Sequence, residues 1–532
     1  MASSDKNSPT PGLATNAAWN CVGTLSDALI GFFMMPFVLN ALGDTTYGLW
    51  ALIASLTGCF GFLDLGVRGA LGRQLAFHLA RRDMHHVNTT LNTAVALLSA
   101  ACLITLLGAV ALQFLFFRLF DVSPDQEWIV RITLLLAGLN LALSFPISAF
   151  DATLWAAQRF DRLNQIDISV SVLKAVLMVL FLKSPATLIC LPVISLAGSL
   201  IAGSLKLATT WTAFGGLKIG VRFISRTALG NIFGFGLWNF IGSLARQIIM
   251  RIPAVVIGSY VGPAAVTPYA IAEKLLNVIS SLFSAATGVL TPKSAGYSAL
   301  DDFTRQRTLF VHGGRLCWAM ALFTGLGLCF FGQPFIAAWL GPKHPLAAVY
   351  LAIIALGSIV PLSQSMTGCV LLGVARHQFL AVIAIGQTVL AIGLSLLAAT
   401  YGDALTVCVV LAVVSTLAGL VLVWHGCRSL HVPLVDYARE AVGPAVAACV
   451  IPAAFGAAMI FMGTSLFAYA FVAQMACYSL LFVAFFYRFS LIGASCRSPG
   501  HVPRVTQISD RHWLWSRRLG TRTELVPKDV LK

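Results

Sequence analysis

The sequence predicts an all-α polytopic membrane protein of about fourteen transmembrane helices, with both termini cytoplasmic. Three observations carry that prediction. Hydrophobic residues make up 58% of the 532, charged residues 10%, and the mean hydropathy is +0.86. Soluble domains are about a quarter charged, and so few charges could not cover a soluble surface of this size. Apolar runs long enough to cross the ~20-residue hydrocarbon core recur along the whole chain. Basic residues fall in alternate connections between those runs, as positive-inside orientation demands.

Taken in order, the expected spans are 16–41, 45–67, 88–117, 128–156, 163–183, 186–213, 230–258, 263–290, 308–332, 346–373, 378–400, 403–425, 440–462 and 465–488. One set of loops holds Arg68, Arg73, Arg81 and Arg82, then Arg159 and Arg162, then Lys218, Arg222 and Arg226. The same set continues with Lys293, Arg305 and Arg307, then Arg376, then Arg428 and Arg439. The opposite loops offer Arg118, Lys183 and Lys343. A miscounted span would put a basic loop on the wrong face.

The polar stretches are short. Residues 1–15 are expected to be a cytoplasmic tail without a cleavable signal, and 214–229 an interlobe linker. Two cytoplasmic stretches read as helices lying along the headgroups. One is Arg68–Asp83, with an apolar stripe of Leu71, Leu75 and Leu79; the other is Leu217–Leu229. The basic tail 489–532 is expected to rest on anionic lipid, so the net charge of +15 points to a membrane surface and not to nucleic acid.

Residues 16–213 and 230–425 repeat each other. Pro36 matches Pro253, Phe116-Phe117 matches Phe330-Phe331, Pro146-Ile147-Ser148 matches Pro361-Leu362-Ser363, and Arg159 matches Arg376, at offsets of 214 to 217. Gly43…Tyr47 answers Gly262…Tyr269. The period covers six spans, an even number, so both halves enter the membrane in the same direction. A parallel repeat about the membrane normal follows, with two six-helix lobes facing a central cavity. The last two spans, 440–488, fall outside the repeat and should pack peripherally. Pro36, Pro146, Pro253 and Pro361 are candidate hinges, because proline removes an intrahelical hydrogen bond.

Six charges fall near mid-span: Asp27, Lys174, Arg246, Arg251, Glu273 and Lys274. Facing lipid, each would cost about 2.5–3.5 kcal/mol or more, so they face protein or water. Two readings stay open. One is interlobe ion pairs, such as Asp27 with Arg246 and Glu273 with Lys274 or Arg251. The other is a cationic cavity in which Arg246, Arg251, Lys174 and Lys274 bind an anionic substrate, with Asp27 or Glu273 as a proton or sodium site. Asp64 and Arg68 should pair locally. His85-His86 reads as a solvated loop without metal ligands nearby, and the Asn88-Thr89-Thr90 sequon lies on the cytoplasmic side. The 12 cysteines are scattered through apolar runs and read as small core residues. No metal site, cofactor motif or nucleophile motif is expected.

Asn16…Trp19, PFVLNALGDTTYGLWALIASL, FLDLGVRGALGRQLA, FFGQPFIAAWLG at Phe330–Gly341 and LLGVARHQF at Leu371–Phe379 resemble bacterial polysaccharide flippases. These are the O-antigen and capsule type, in the polysaccharide-transport branch of the multidrug/oligosaccharidyl-lipid/polysaccharide exporter superfamily. The resemblance spans roughly residues 15–490. It implies movement of polyprenyl-diphosphate-linked repeat units across the bacterial inner membrane, with the available bases lining a cationic lumen. The expected partners are a lipid-linked glycan, membrane lipids and polysaccharide polymerase or assembly proteins, and the transporter is expected to be a monomer. An ion-coupled multidrug antiporter for organic cations is the alternative, and it would present a net acidic cavity. An envelope glycosyltransferase or polymerase would need a sizeable outside loop, and none is expected.

Overall fold

The computed structural model describes residues 13–64, 66–81, 83–120, 122–182, 188–214, 216–288, 290–300, 302–373, 377–401, 403–461 and 468–492. No strand occurs among them. Lys183, Arg376, the first residues and the tail beyond Ile492 lie outside the described residues.

The first half comprises α1 (Leu13–Leu42), α2 (Asp44–Cys59), α3 (Val67–Ala80), α4 (Met84–Leu119), α5 (Pro124–Ala156), α6 (Phe160–Phe181) and α7 (Cys190–Ala213). The second comprises α8 (Arg226–Tyr260), α9 (Pro263–Gly288), α10 (Thr291–Ala299), α11 (Phe303–Leu340), α12 (Pro345–Ser363), α13 (Ser365–Gly373), α14 (His377–Tyr401) and α15 (Ala404–Ser429). A short α16 (Leu434–Tyr437) runs through a π turn into α17 (Gly443–Phe461), and α18 (Ala468–Phe486) follows. Gly43 and Gly262 take φ of 75° and 115° at the reversals into α2 and α9. Only glycine reaches such values without a steric penalty, so the two matched glycines place matched turns.

Among the described residues, twelve helices are long and apolar enough to cross a membrane. Helices α8 and α9 occupy the positions of the seventh and eighth expected spans but are not among those twelve. Their middles carry Arg246 and Arg251, and Glu273, Lys274 and Asn277, which lower their hydropathy.

The repeat is visible in the packing. Helix α4 packs on α5, α5 on α7, α6 on α7, and α1 on α6. In the second half α11 packs on α12, α12 on α15, α14 on α15, and α8 on α14. The match reaches single hydrogen bonds: Ser148 Oγ donates to Phe145 O and Ser363 Oγ to Val360 O, each at 2.7 Å. Pro36, Pro146 and Pro253 sit inside unbroken helices, whereas α12 is interrupted at Gln364, three residues past Pro361. Helices α17 and α18 pack against α11, where Tyr478 Oη donates to Phe323 O at 2.9 Å.

Three main apolar cores hold these helices together. The largest joins the two halves at the Gly43/Gly262 end, with Leu49, Leu52 and Ile53 of α2 against Ile257, Val266 and Ile271 of α8 and α9. There Phe32 stacks on Trp339 with ring centroids 4.4 Å apart, and Thr267 Oγ1 donates to Asp44 O at 2.6 Å. Gly48 lies so close to the Pro263 carbonyl that a side chain would collide with it. At the opposite end the cores are separate, one within α3, α4 and α5 and one within α11, α15 and α17. The two halves therefore share one apolar core at one end and have separate cores at the other, where α3 still touches α8.

Two expectations change here. Helix α3 forms, but its stripe does not lie in headgroups: Leu71 and Leu75 are fully buried against α4 and α5. Residues 217–229 are not one helix. Val221–Phe223 form a 3-10 turn and α8 begins at Arg226. The stretch is held open by asparagines one turn apart on α4. Asn88 accepts from Lys218 N (2.9 Å) and donates to Gly216 O (3.0 Å). Asn92 accepts from Gly220 N (2.8 Å) and donates to Lys218 O (2.8 Å). Side-chain amides thus replace the backbone bonds a helix would have made, and the Asn88 sequon serves this clamp.

Candidate functional site

The seam between the lobes sets two of the six mid-span charges against glycines. Gly58 of α2 faces Arg251 of α8, and a Cβ at Gly58 would lie 3.0 Å from Cζ and Nε of Arg251. Gly31 of α1 faces Lys274 of α9, with Nζ 3.0 Å from such a Cβ. Gly61 faces the Gln247 amide in the same way, at 2.9 Å. Glycine lets a long polar side chain of one lobe reach the backbone of the other. Glu273 lies in the field of Arg251 first and of Lys274 second, and Asn277 hydrogen-bonds its carboxylate. Tyr47 and Tyr269 stand close enough to feel the Glu273 charge.

The remaining charges make other contacts. Arg246 is exposed and donates to Ser243 Oγ at 3.0 Å. Lys174 of α6 lies across α7 at Gly198. Asp27 is exposed on α1 and accepts from Ser171 of α6 at 2.9 Å. The Asp27–Arg246 ion pair is not formed. Among the described residues, none of the six charges makes an ion pair within 4.0 Å. Arg251 Nε is buried with no hydrogen-bond partner there. A buried donor in that state costs about 1–3 kcal/mol, which an anionic oxygen could recover.

A cavity of about 250 Å³ opens behind Gly58, between α2, α5 and α7. Its walls mix hydroxyls and an amide (Thr57, Asn140, Ser144 and Ser195) with Trp50. A larger cavity, about 370 Å³, lies away from the seam at the end of α14 and α15.

One further charged group stands outside the mid-span set. Lys206 of α7 is buried and bridges Asp151 of α5 and Asp167 of α6, at 2.7 Å to each. Arg68 Nη2 reaches Asp151 at 3.5 Å, so its ion pair is with Asp151 and not Asp64. Asp151 and Asp167 lie near the ends of their expected spans, whereas Lys206 lies as far inside its span as Arg251 does and is nonetheless absent from the mid-span set. Outside the spans, the His86 amide that donates to it holds the Asp83 carboxyl below the usual carboxylate range.

Curated relatives match the sequence, and solved structures share this architecture. The "Uncharacterized membrane protein EpsK" of Bacillus subtilis (strain 168) is 22% identical over 350 residues, 64% of this chain and 67% of that protein. A "Putative O-antigen transporter" of Shigella flexneri is 22% identical over 297 residues, 54% of this chain and 68% of that protein. The structure of "Lipid II flippase MurJ, inward closed conformation" matches with a TM-score of 0.67 at 12% identity, covering 89% of this chain and 99% of that one. An inward-facing multidrug resistance MATE family transporter of the MOP superfamily matches at 0.63 and 14% identity, covering 79% and 96%. These structural likenesses establish the fold. A family model described as "Polysaccharide biosynthesis protein" matches residues 13–297, more than half of the sequence, and this multi-pass membrane chain belongs to that family.

Proposed function

We propose that the protein is an alternating-access flippase. It moves a polyprenyl-diphosphate-linked oligosaccharide from the cytoplasmic to the outer leaflet of the bacterial inner membrane. The observation that carries this reading is the placement of Arg251 and Lys274 on the interlobe seam, unpaired within 4.0 Å among the described residues. A diphosphate is the ligand such a pair suits, since guanidinium donors match phosphate oxygens two at a time. The relative named as an O-antigen transporter supports a glycan cargo. The zipped Gly43/Gly262 end and the separate cores opposite support a state open toward the basic, cytoplasmic side. Asp27 and Glu273 are the groups for proton or sodium coupling, and Pro361, beside the break in α12, is the foremost hinge.

Deleting the gene and identifying the lipid that accumulates on the cytoplasmic leaflet tests the reading. A diphosphate-linked oligosaccharide should accumulate, and the intact gene should relieve it where Arg251→Ala does not. No accumulation, with lowered tolerance of cationic drugs instead, would replace the flippase with an organic-cation antiporter.

A further inference from the structure

We infer that the turn between α3 and α4 is a binding site for a divalent transition-metal ion, with His78, Asp83 and His86 as its ligands. The fold brings one donor atom from each to within 4.8 Å of the others. His86 Nδ1 lies 2.7 Å from Asp83 Oδ2, and the His78 and His86 rings stack with centroids 5.2 Å apart. In the sequence Asp83 stands three residues before His86, and His85-His86 otherwise reads as a solvated pair. Only the reversal of the chain between α3 and α4 brings His78 alongside.

The second lobe supplies an internal control. Its α10–α11 turn repeats the first, 219 residues on, bond for bond. Asp83 N donates to His78 O at 3.0 Å, and Asp302 N donates to Tyr297 O at 2.9 Å. Asp83 accepts from His86 N at 3.1 Å, and Asp302 accepts from Arg305 N at 3.0 Å. Arg305 then pairs with Asp302 at 3.3 Å. The structural task, capping a helix and pairing the cap with a cation, is met by tyrosine and arginine, neither of which is a ligand for such an ion. The first lobe fills the same two places with imidazoles. Capping alone does not require that pair.

Two imidazoles and one carboxylate form a borderline donor set that favours Zn²⁺, Co²⁺, Ni²⁺ or Cu²⁺ over Mg²⁺ or Ca²⁺. The site is at the surface, so water completes the coordination. The ion takes the place of the His86 Nδ1–Asp83 Oδ2 hydrogen bond, with neutral imidazoles and an ionised carboxylate as the ligating forms. Arg81 lies alongside, with its guanidinium 4.0 Å over the Phe77 ring, and His85 packs edge-on to His86. The bound ion would clip α3, which carries Arg68 to Asp151, onto α4.

Tag-free, chelator-stripped protein in detergent is titrated with Zn²⁺ by calorimetry and with Co²⁺ by visible absorption. One ion per chain should bind. His86→Arg, alone and with His78→Tyr, copies the second lobe's turn and keeps the cap. These variants should bind at least tenfold more weakly while melting, metal-free, at the wild-type temperature. Asp302→Asn should bind as wild type. Wild-type protein that takes up no ion, or variants whose affinity is unchanged, would overturn the site. Should His86→Arg fail to fold, Asp83→Asn, which retains a capping oxygen, should show the same tenfold loss, and its absence would equally overturn the site.

Discussion

Arg251 and Lys206 keep a charge inside a membrane protein in opposite ways. Lys206 is neutralised twice, by Asp151 and Asp167, and its side chain is 7% exposed. Removing the ammonium leaves two carboxylates facing each other, and breaking such a buried pair costs about 3–5 kcal/mol. Lys206→Met should therefore lower the melting temperature of the purified protein sharply; an unchanged melting curve would show the triad to be weakly coupled. Arg251 has no such partner, so Arg251→Ala should leave the melting temperature nearly unchanged while it abolishes transport. The sequence exposes Arg251 through its depth in a span, but not its environment. Gly58 and Gly31, which admit the two cations at the seam, carry no signal until the helices that bear them are packed.

Elements are legible in the sequence where one helix accounts for them. The long apolar runs, α3, and the matched prolines and glycines all follow from local pattern. What local pattern misses depends on contacts between distant segments. Residues 217–229 look helical by themselves, but Asn88 and Asn92 hold the first part open with four hydrogen bonds. At ~1 kcal/mol net for each bond, Asn88→Ala with Asn92→Ala should weaken the clamp by roughly 4 kcal/mol. Limited proteolysis would then cut between Gly216 and Ser225 in the double variant far faster than in the wild type. Equal cutting would mean that the linker is held by other contacts. The break after Pro361 also escapes local pattern, since Pro146 has similar sequence neighbours and sits in a continuous helix.

At the scale of the molecule, the proposed alternating access requires the zipped end to open as the other end closes. The Gly48–Pro263 approach is a tight point of that zip. Gly48→Ala forces α2 from α9 and, at ~1–3 kcal/mol for overpacking, should shift the population away from the zipped state. Thr267→Cys in a cysteine-free background should then react faster with an aqueous thiol reagent; unaltered reactivity would show that the zip does not set the equilibrium. The flippase reading stands or falls on the seam cations carrying a lipid diphosphate between leaflets. The decisive measurement is translocation by purified protein in proteoliposomes, read with a polyprenyl-diphosphate oligosaccharide whose sugar becomes accessible to an external glycosidase. Exposure should be rapid and protein-dependent, and reduced at least tenfold by Arg251→Ala and by Lys274→Ala. Exposure at the protein-free rate, or full activity in both variants, would contradict it.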